Sequence, residues 1–376
     1  MKVYLEFRSP KHHTFYDELI NYPPEEVDYI ISSGDVYATR KYKAFNFLYN
    51  KIFKKLTPNI GNIYHRLKKE SAAADLIHVC NTFTPRDSPW VMDIENVGSF
   101  TGHDRQIFQL QKKNIEKALS SNNCKKIMPW TNAGKKTIER FLDTERFKEK
   151  IEVVKPAIHP MPVIERKKNE RLRLLFMGSV NNPDTFIDKG GLYALECFNR
   201  LYKKYDVELV VRSIVPQELK KKYSHENIIY IGSFLPRDKI MDLYAGSDIS
   251  LIPGHNYALM ASLESMAFGL PIVAVKGWSM SDFVEHGKTG FLVPPSKNIR
   301  VEDYLPIDWT PGFWDWRDKV DVTVLEDMVK YISLLIEDGK LREIFCKNAK
   351  KGIEEGDLSI KKRNEKIKNI YMNAMG

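Results

Sequence analysis

Residues 255–275, HNYALMASLESMAFGLPIVAV, decide the fold of this 376-residue chain. They predict a helix over 258–268 that ends at Gly269, followed by a short buried strand over 271–275. A glycine directly after the last apolar residue, with a proline soon after, is typical of a helix C-terminus. Glu264 lies among Ala, Leu, Met, Ser and Phe. Since a carboxylate in apolar surroundings needs a partner, we expect Glu264 either to meet a charge or to accept hydrogen bonds from ligand hydroxyls.

The composition describes a globular protein of about two domains. Hydrophobic residues make up 43% of the chain and aromatic residues 11%, which is typical of a packed core rather than of a disordered chain. No apolar run approaches the roughly 20 residues needed to cross a bilayer. The start, MKVYLEFRSPKHH, is too polar for a signal peptide. The 4 cysteines lack CxxC spacing, so we expect them to be reduced in a cytoplasmic protein.

The positive charge predicts anionic partners. A net charge of +9 favours nucleotide phosphates, acidic lipid or nucleic acid. Residues 40–69 carry basic and aromatic side chains and no acidic one. This stretch fits peripheral contact with an anionic membrane at the inner membrane face. It fits equally an ordinary helix pair with its apolar side in the core and its lysines in water.

Strands and helices alternate along the chain, which predicts parallel α/β sheets. The expected strands are 2–7, 27–32, 75–83, 89–95, 126–129, 172–177, 207–212, 228–234, 249–253 and 271–275, and residues 151–155 are expected to close the first domain. The expected helices are 106–119, 133–142, 191–205, 217–223, 237–246, 258–268, 280–286, 324–336, 340–352 and 359–374. We predict an N-terminal domain over 1–160, a charged linker over 161–171, a second domain over 172–356 and a final helix within 357–376.

The run SLESMAFGLPIVAV at 262–275 resembles the donor-site segment of family-4-like retaining glycosyltransferases. Their pattern reads roughly Glu, seven residues, then Glu-Ala-Met-Ala-x-Gly-x-Pro-Val-Val-Ala. Residues 264–274 fill its second half, while the first Glu falls on Asn256. The resemblance implies the α/β fold called GT-B. In it, two Rossmann-like doubly wound domains face each other across a cleft, and a C-terminal helix returns to the first domain.

Other segments of the second half follow the same family in order and spacing. Lys189-Gly190-Gly191 precedes a predicted helix, where backbone amides bind phosphate and a lysine adds charge. The resemblance implies that Lys189 is half of a diphosphate clamp. The other half is usually an arginine after the strand that ends at Gly178, where this chain has Ser179. Arg212 and Arg237 are the candidate substitutes.

The resemblance also implies the site roles. Glu264 would bind the ribose hydroxyls of a nucleotide-sugar, and the turn at Phe234 would flank the nucleobase. Glu95 falls where the family has a polar residue near the donor sugar, with Asp93 and His103 as alternates. Glu95 and Asn256 are therefore the catalytic candidates. The expected nucleotide-binding residues are Gly178, Ser179, Lys189, Gly190, Arg212, Phe234, Ala261 and Glu264.

The sequence therefore predicts a glycosyltransferase that moves a sugar from a nucleotide-sugar to a glycan or lipid-linked acceptor, with retention and without a metal cofactor. Two alternatives share the fold: an epimerase or phosphorylase, and a homologue that binds nucleotide-sugar without catalysis. Because no nucleic-acid recognition motif appears, we expect no nucleic-acid partner. The aromatic segment 304–317 either plugs the core or forms an acceptor-side or membrane-facing loop.

Overall fold

The computed structural model describes residues 1–7, 14–31, 73–83, 87–161, 171–180, 182 and 184–376. The basic stretch 40–69 lies outside these residues, as does most of the linker, 162–170. The chain divides into two compact units. Unit 1 consists of Met1–Pro156 and Ile360–Gly376, and unit 2 of Ala157–Ser359.

Unit 1 is built on a parallel sheet. Its strands are β1 (Lys2–Phe7), β2 (Asp28–Ile31), β3 (Leu76–Cys80), β4 (Trp90–Ile94) and β5 (Cys124–Pro129). Among the described residues they lie in the order β2-β1-β3-β4-β5, and every pairing is parallel. The central strands β3 and β4 are buried at every position, as expected of a sheet covered on both faces. The order reverses between β1 and β3, which makes this a doubly wound sheet.

Helices accompany the parallel sheet of unit 1. They are α1 (Phe15–Asn21), α2 (Arg105–Leu119) and α3 (Asn132–Phe141). The expected cap of α3 is present, since Oγ1 of Thr131 accepts a hydrogen bond from the amide of Gly134 at 2.9 Å. The last helix of the chain, which we number α12 (Ile360–Met375), also belongs to unit 1 and contacts β3, β4 and β5. The predicted return of the C-terminal helix to the first domain is therefore present.

Unit 2 is built on a second parallel sheet. Its strands are β6 (Leu172–Met177), β7 (Val207–Arg212), β8 (Ile228–Ile231), β9 (Ile249–Ile252), β10 (Ile272–Val275) and β11 (Gly290–Val293). Among the described residues they lie in the order β11-β10-β9-β6-β7-β8, all parallel. This is the order of a Rossmann sheet, with its reversal between β6 and β9.

Six helices described in unit 2 were predicted and lie within a few residues of their expected bounds, whereas the short helices over 184–188 and 313–316 were not predicted. The helices of this unit are α4 (Asp184–Asp188), α5 (Gly191–Leu201), α6 (Gln217–Lys222), α7 (Arg237–Ala245), α8 (Leu259–Ala267), α9 (Phe313–Trp316), α10 (Val322–Glu337) and α11 (Gly339–Glu354). The residue that stops α8 is Gly269, whose φ of 68° is a left-handed conformation that favours glycine.

One predicted element was wrong. The segment 280–286 forms only a short 3-10 turn over Met280–Asp282 in place of the expected helix. Its apolar pattern is too short to distinguish a regular helix from a buried connection. Residues 151–155, expected to close the N-terminal domain, contribute an isolated bridge between Ile151 and Ile127.

The aromatic segment 304–317 divides its side chains between core and surface. Trp309 and Phe313 are buried, whereas Trp314 is 54% exposed. The buried pair agrees with the interpretation of this segment as a plug over the core. None of the helices in the described part of the chain combines the length and apolar character required to span a membrane.

Candidate functional site

The strand reversal in unit 2 brings the ends of β6 and β9 side by side. In open α/β sheets, ligands bind outside the carboxyl ends of the strands at this point. Gly178 and Ser179 follow β6, and residues 253–256 follow β9. Several of the predicted nucleotide-binding residues therefore lie at the carboxyl ends of β6 and β9, where a ligand site is expected.

Glycines allow two backbone segments to touch at this edge. Gly190 has a φ of 76°, and a Cβ added to it would lie 2.6 Å from the carbonyl of Pro253. A Cβ added to Gly254 would lie 2.8 Å from the carbonyl carbon of Lys189. The chain before α5 is thus packed directly on the chain after β9, and no larger residue fits at either glycine.

Lys189 lies at the N-terminus of α5, where the first amides of a helix have no partner within it. Its Nζ donates a hydrogen bond to the carbonyl oxygen of Tyr257 at 2.7 Å. The contact places an ammonium group beside the segment that joins β9 to α8. A helix N-terminus and a lysine together favour an anionic group such as a phosphate.

Arg212 ends β7 and reaches back to the end of β6. Its Nη1 donates to the carbonyl oxygen of Gly178 at 2.8 Å, while the amide of Gly178 donates to the carbonyl oxygen of Arg212 at 2.8 Å. Burial lowers the pKa of the guanidinium, and Glu264 and Tyr244 oppose that effect electrostatically. The Nε of Arg212 is buried and has no hydrogen-bond partner among the described residues. A buried donor without a partner is well suited to a ligand oxygen.

Glu264 meets a charge, the first of the two outcomes expected from the sequence. Its Oε1 accepts a hydrogen bond from Nη1 of Arg237, and the side chain is 6% exposed. The buried phenol of Tyr244 lies close enough to interact with the Glu264 carboxylate. Burial, followed by the charge of Glu264, raises the pKa of Tyr244 well above its usual range, so the phenol remains a donor. Arg237, a candidate for the diphosphate clamp, is thus held by Glu264.

Sequence reasoning missed Tyr244 as a partner of Glu264. Arg237 and Tyr244 are seven residues apart in α7, which is close to two full helical turns and puts both on one face. This spacing was the available signal. It did not identify the partner, because the sequence alone does not show which helix that face meets.

Asn256 lies half-buried in the segment between β9 and α8. Its Oδ1 is buried and accepts no hydrogen bond from the residues that the structure describes. The neighbouring His255 is fixed, since its Nε2 accepts from the amide of Ser296 at 3.0 Å. Burial lowers the pKa of His255 to about 4, so the imidazole is neutral with its proton on Nδ1. The open acceptor of Asn256 is therefore held beside a rigid residue.

The two remaining predicted residues of unit 2 differ in exposure. Phe234, in the turn between β8 and α7, is 82% exposed. Ala261 is half-buried and lies one turn before Glu264 in α8. The exposed phenyl ring offers a flat apolar surface, as nucleobase stacking requires.

Glu95 belongs to unit 1, where it follows the carboxyl end of β4. It is half-buried, and its amide donates to Oδ1 of Asn81 at 3.0 Å. Asn96 caps the next turn, because its Oδ1 accepts from the amide of Gly98 at 2.8 Å. The alternate His103 has a φ of 67°, a left-handed conformation uncommon for a residue other than glycine.

Asp93, the other alternate, makes its hydrogen bonds to residues of unit 1. Its Oδ1 accepts hydrogen bonds from Oη of Tyr16 at 2.6 Å and from Nε1 of Trp130 at 2.8 Å. Its Oδ2 lies 2.9 Å from Nε2 of His78. In the described part of the chain, His78, Cys80 and Asp93 bring ligand-type atoms within 4.8 Å of one another. Asp93 already has these internal hydrogen-bond partners, which give it a structural role.

The comparisons with known proteins agree with this geometry. A family model described as glycosyl transferases group 1 matches residues 171–303. Sulfoquinovosyl transferase SQD2 from Arabidopsis thaliana is 27% identical over 156 residues, which are 40% of this chain and 25% of that protein. An uncharacterized glycosyltransferase from Haemophilus influenzae is 30% identical over 188 residues, which are 48% of this chain and 50% of that protein. The chain thus spans a quarter to a half of the length of these relatives.

A solved structure matches the chain over nearly its full length. HepE from Anabaena, in complex with UDP and glucose, covers 99% of both chains with a TM-score of 0.60 at 13% identity. A likeness at this identity concerns the fold, and it confirms the prediction of GT-B. With residues 171–303 matched by that family model, the chain has the GT-B fold and is similar to the group 1 glycosyltransferases.

Proposed function

We propose that this protein is a glycosyltransferase that takes a sugar from a nucleotide-sugar bound to unit 2. The observation that carries the proposal is the group of charged side chains around the strand reversal of that unit. Arg212 contacts Gly178 at the end of β6, Lys189 contacts the segment after β9, and Glu264 is buried in the helix that follows. Two cations and one buried carboxylate match the diphosphate and the ribose of such a donor.

Each residue has a role that fits its chemistry. Glu264 binds the ribose hydroxyls, because a carboxylate accepts hydrogen bonds and donates none. Lys189, Arg212 and the first amides of α5 bind the diphosphate. Gly178, Ser179, Gly190 and Ala261 let the ligand approach the backbone. Phe234 offers its exposed ring to the base, and Asn256 offers its open Oδ1 to a hydroxyl of the sugar.

The main requirement of the reaction is that the negative charge on the leaving group is stabilised. The bond between C1 of the sugar and the diphosphate breaks, an acceptor oxygen bonds to C1, and negative charge develops on the diphosphate. Fixed cations and helix amides stabilise such charge without rearranging. We propose on this basis, and on the family resemblance, that transfer retains the anomeric configuration and requires no metal. Glu95 is the proposed catalytic polar residue of unit 1.

The proposed acceptor is a glycan or a lipid-linked glycan at the cytoplasmic membrane face. The net charge of +9 supports an anionic partner, and the sequence of residues 40–69 has the basic and aromatic composition of a peripheral membrane segment. We accordingly propose that the protein is cytoplasmic and associates with the inner membrane face from outside the bilayer.

The test is a product analysis with radiolabelled nucleotide-sugars and membrane extract, in the presence of EDTA. We expect label to pass to an acceptor and a nucleoside diphosphate to be released, and we expect Lys189→Ala to reduce both. Interconversion of the nucleotide-sugar without transfer would instead identify an epimerase. Saturable binding without turnover would identify a non-catalytic homologue. Dependence on added Mg²⁺ or Mn²⁺ would refute the metal-free mechanism.

A further inference from the structure

The Glu264 carboxylate has two polar partners whose surroundings differ sharply. The side chain of Arg237 is 45% exposed, whereas Tyr244 is 1% exposed. Both are carried by α7, on the face that meets Glu264 in α8. One partner is therefore free to move into solvent and the other is not.

Packing explains why Tyr244 stays in place. Its ring stacks on Phe268, with centroids 5.7 Å apart and planes inclined by 9°. Phe268 follows Glu264 by four residues, so the two side chains lie one above the other on α8. The stacked ring keeps the Tyr244 hydroxyl near the carboxylate, where burial and then the charge of Glu264 raise the pKa of the phenol.

Arg237 has no comparable enclosure. It is the first residue of α7, and its guanidinium contacts Glu264 through Nη1 while nearly half of the side chain faces solvent. Leaving a partly exposed position costs an arginine little, because water replaces its lost hydrogen bond. A buried carboxylate, by contrast, must exchange one partner for another.

We propose that Tyr244 is a positioning residue that permanently orients Glu264, and that Arg237 is an exchangeable counter-ion which the ribose hydroxyls of the donor displace. The inference rests on the proposed function, since it concerns the same nucleotide site. In the free protein Arg237 neutralises the carboxylate and competes with the donor. On binding, the two ribose hydroxyls take over the carboxylate oxygen that Arg237 releases.

The two roles have opposite consequences for affinity. When a ligand must displace a side chain, its apparent dissociation constant equals the intrinsic value divided by the fraction of protein in which the site is free. Removing Arg237 therefore tightens binding of the donor nucleotide. Removing the Tyr244 hydroxyl lets the carboxylate rotate, and this weakens recognition of the ribose specifically while leaving the diphosphate contacts intact.

The experiment compares UDP, GDP, ADP and CDP with their 2′-deoxy forms by isothermal titration calorimetry on the full chain. The parent should bind the ribose form of its preferred nucleotide about tenfold more tightly than the deoxy form, as a hydrogen bond to a charged group implies. Tyr244→Phe should reduce this ratio to about threefold or less. Arg237→Ala should bind the ribose form about twofold more tightly or better and keep the ratio. Lys239→Ala, an exposed change in the same helix, is the control.

Each contrary result is decisive. An unchanged ratio in Tyr244→Phe would overturn the positioning role, as would an equal loss of affinity for both forms. Weaker binding by Arg237→Ala would overturn the exchange and make Arg237 a direct ligand. If the parent binds none of the nucleotides, the proposed function itself fails, and this inference fails with it.

Discussion

Nη1 of Arg212 donates a hydrogen bond to the carbonyl oxygen of Gly178 at 2.8 Å, which joins the carboxyl end of β7 to that of β6. Gly178 is followed by Ser179, where the resembled family has an arginine. The guanidinium of Arg212 therefore lies beside the end of β6. We propose that it supplies the cation that this chain lacks at position 179.

Arg212→Ala should weaken binding of a nucleoside diphosphate by about tenfold or more, because a charge-assisted hydrogen bond to a phosphate is lost. Arg212→Lys should restore only part of the affinity, since an ammonium does not provide the planar fork of a guanidinium. The measurement is calorimetric titration with UDP or the preferred diphosphate. Equal affinities for the parent and Arg212→Ala would show that the cation serves only to join the two strands.

Lys189→Ala should lower the affinity for UDP by about tenfold while leaving the affinity for uridine unchanged, since a point charge acts on the phosphates and not on the nucleoside. The ratio of the two affinities, measured on one protein preparation, removes any general effect of the mutation. Lys203→Ala, at an exposed lysine of the same unit, should leave both values as they are in the parent. A parallel loss for uridine and UDP would contradict the phosphate role.

Gly190→Ala should destabilise unit 2 more than Gly287→Ala. Both glycines have a left-handed φ, 76° and 75°, so both changes carry a backbone cost of about 1–2 kcal/mol. Only at Gly190 would the new Cβ meet backbone, at 2.6 Å, and overpacking there adds about 1–3 kcal/mol. Urea unfolding of the two variants measures the difference. Equal losses would mean that the Lys189–Gly190 segment does not pack on Pro253.

His255 makes the stability of the protein depend on pH. Burial lowers its pKa in the folded protein from 6.5 to about 4, so folding favours the neutral form. The unfolded chain binds the proton first as the pH falls, and the stabilisation is therefore complete above pH 6.5 and is lost between about pH 6.5 and 4. At pH 5 the protein has lost about 2 kcal/mol of the free energy of unfolding that the neutral His255 contributes at high pH.

The measurement is the change in unfolding free energy between pH 7 and pH 5, by urea titration. His255→Gln should reduce that change by about 2 kcal/mol relative to the parent. His286→Gln is the control, because its ring accepts a hydrogen bond from the amide of Leu292 but is exposed. If His255→Gln and the parent lose the same stability, His255 is not held neutral by burial.

The sequence predicted the sheets of both units, because periodic apolar runs and glycine signals are local. The helix before Gly269 and the strand after it are examples, with ends within a residue or two of those observed. The pairing of Glu264 with Arg237 and Tyr244 was not predictable, since it requires knowing that α7 packs beside α8. Nor did the sequence show that Arg212 would reach Gly178, which depends on the order of strands β6 and β7 in the sheet.

Apolar composition misled the prediction where it did not reflect regular structure. The expected helix over 280–286 is a single turn, begun by Ser279 at a left-handed φ of 65°. The buried side chains of this segment are held by tertiary packing rather than by their own secondary structure.

The central claim is that the ribose of a nucleotide-sugar binds to Glu264 in unit 2. It is tested most directly by calorimetric titration of the parent and of Glu264→Gln with the preferred nucleoside diphosphate, a change that keeps the size of the side chain and removes its charge. The account predicts saturable one-to-one binding to the parent and an affinity at least about tenfold lower for the variant. Equal affinities for the two proteins would contradict it.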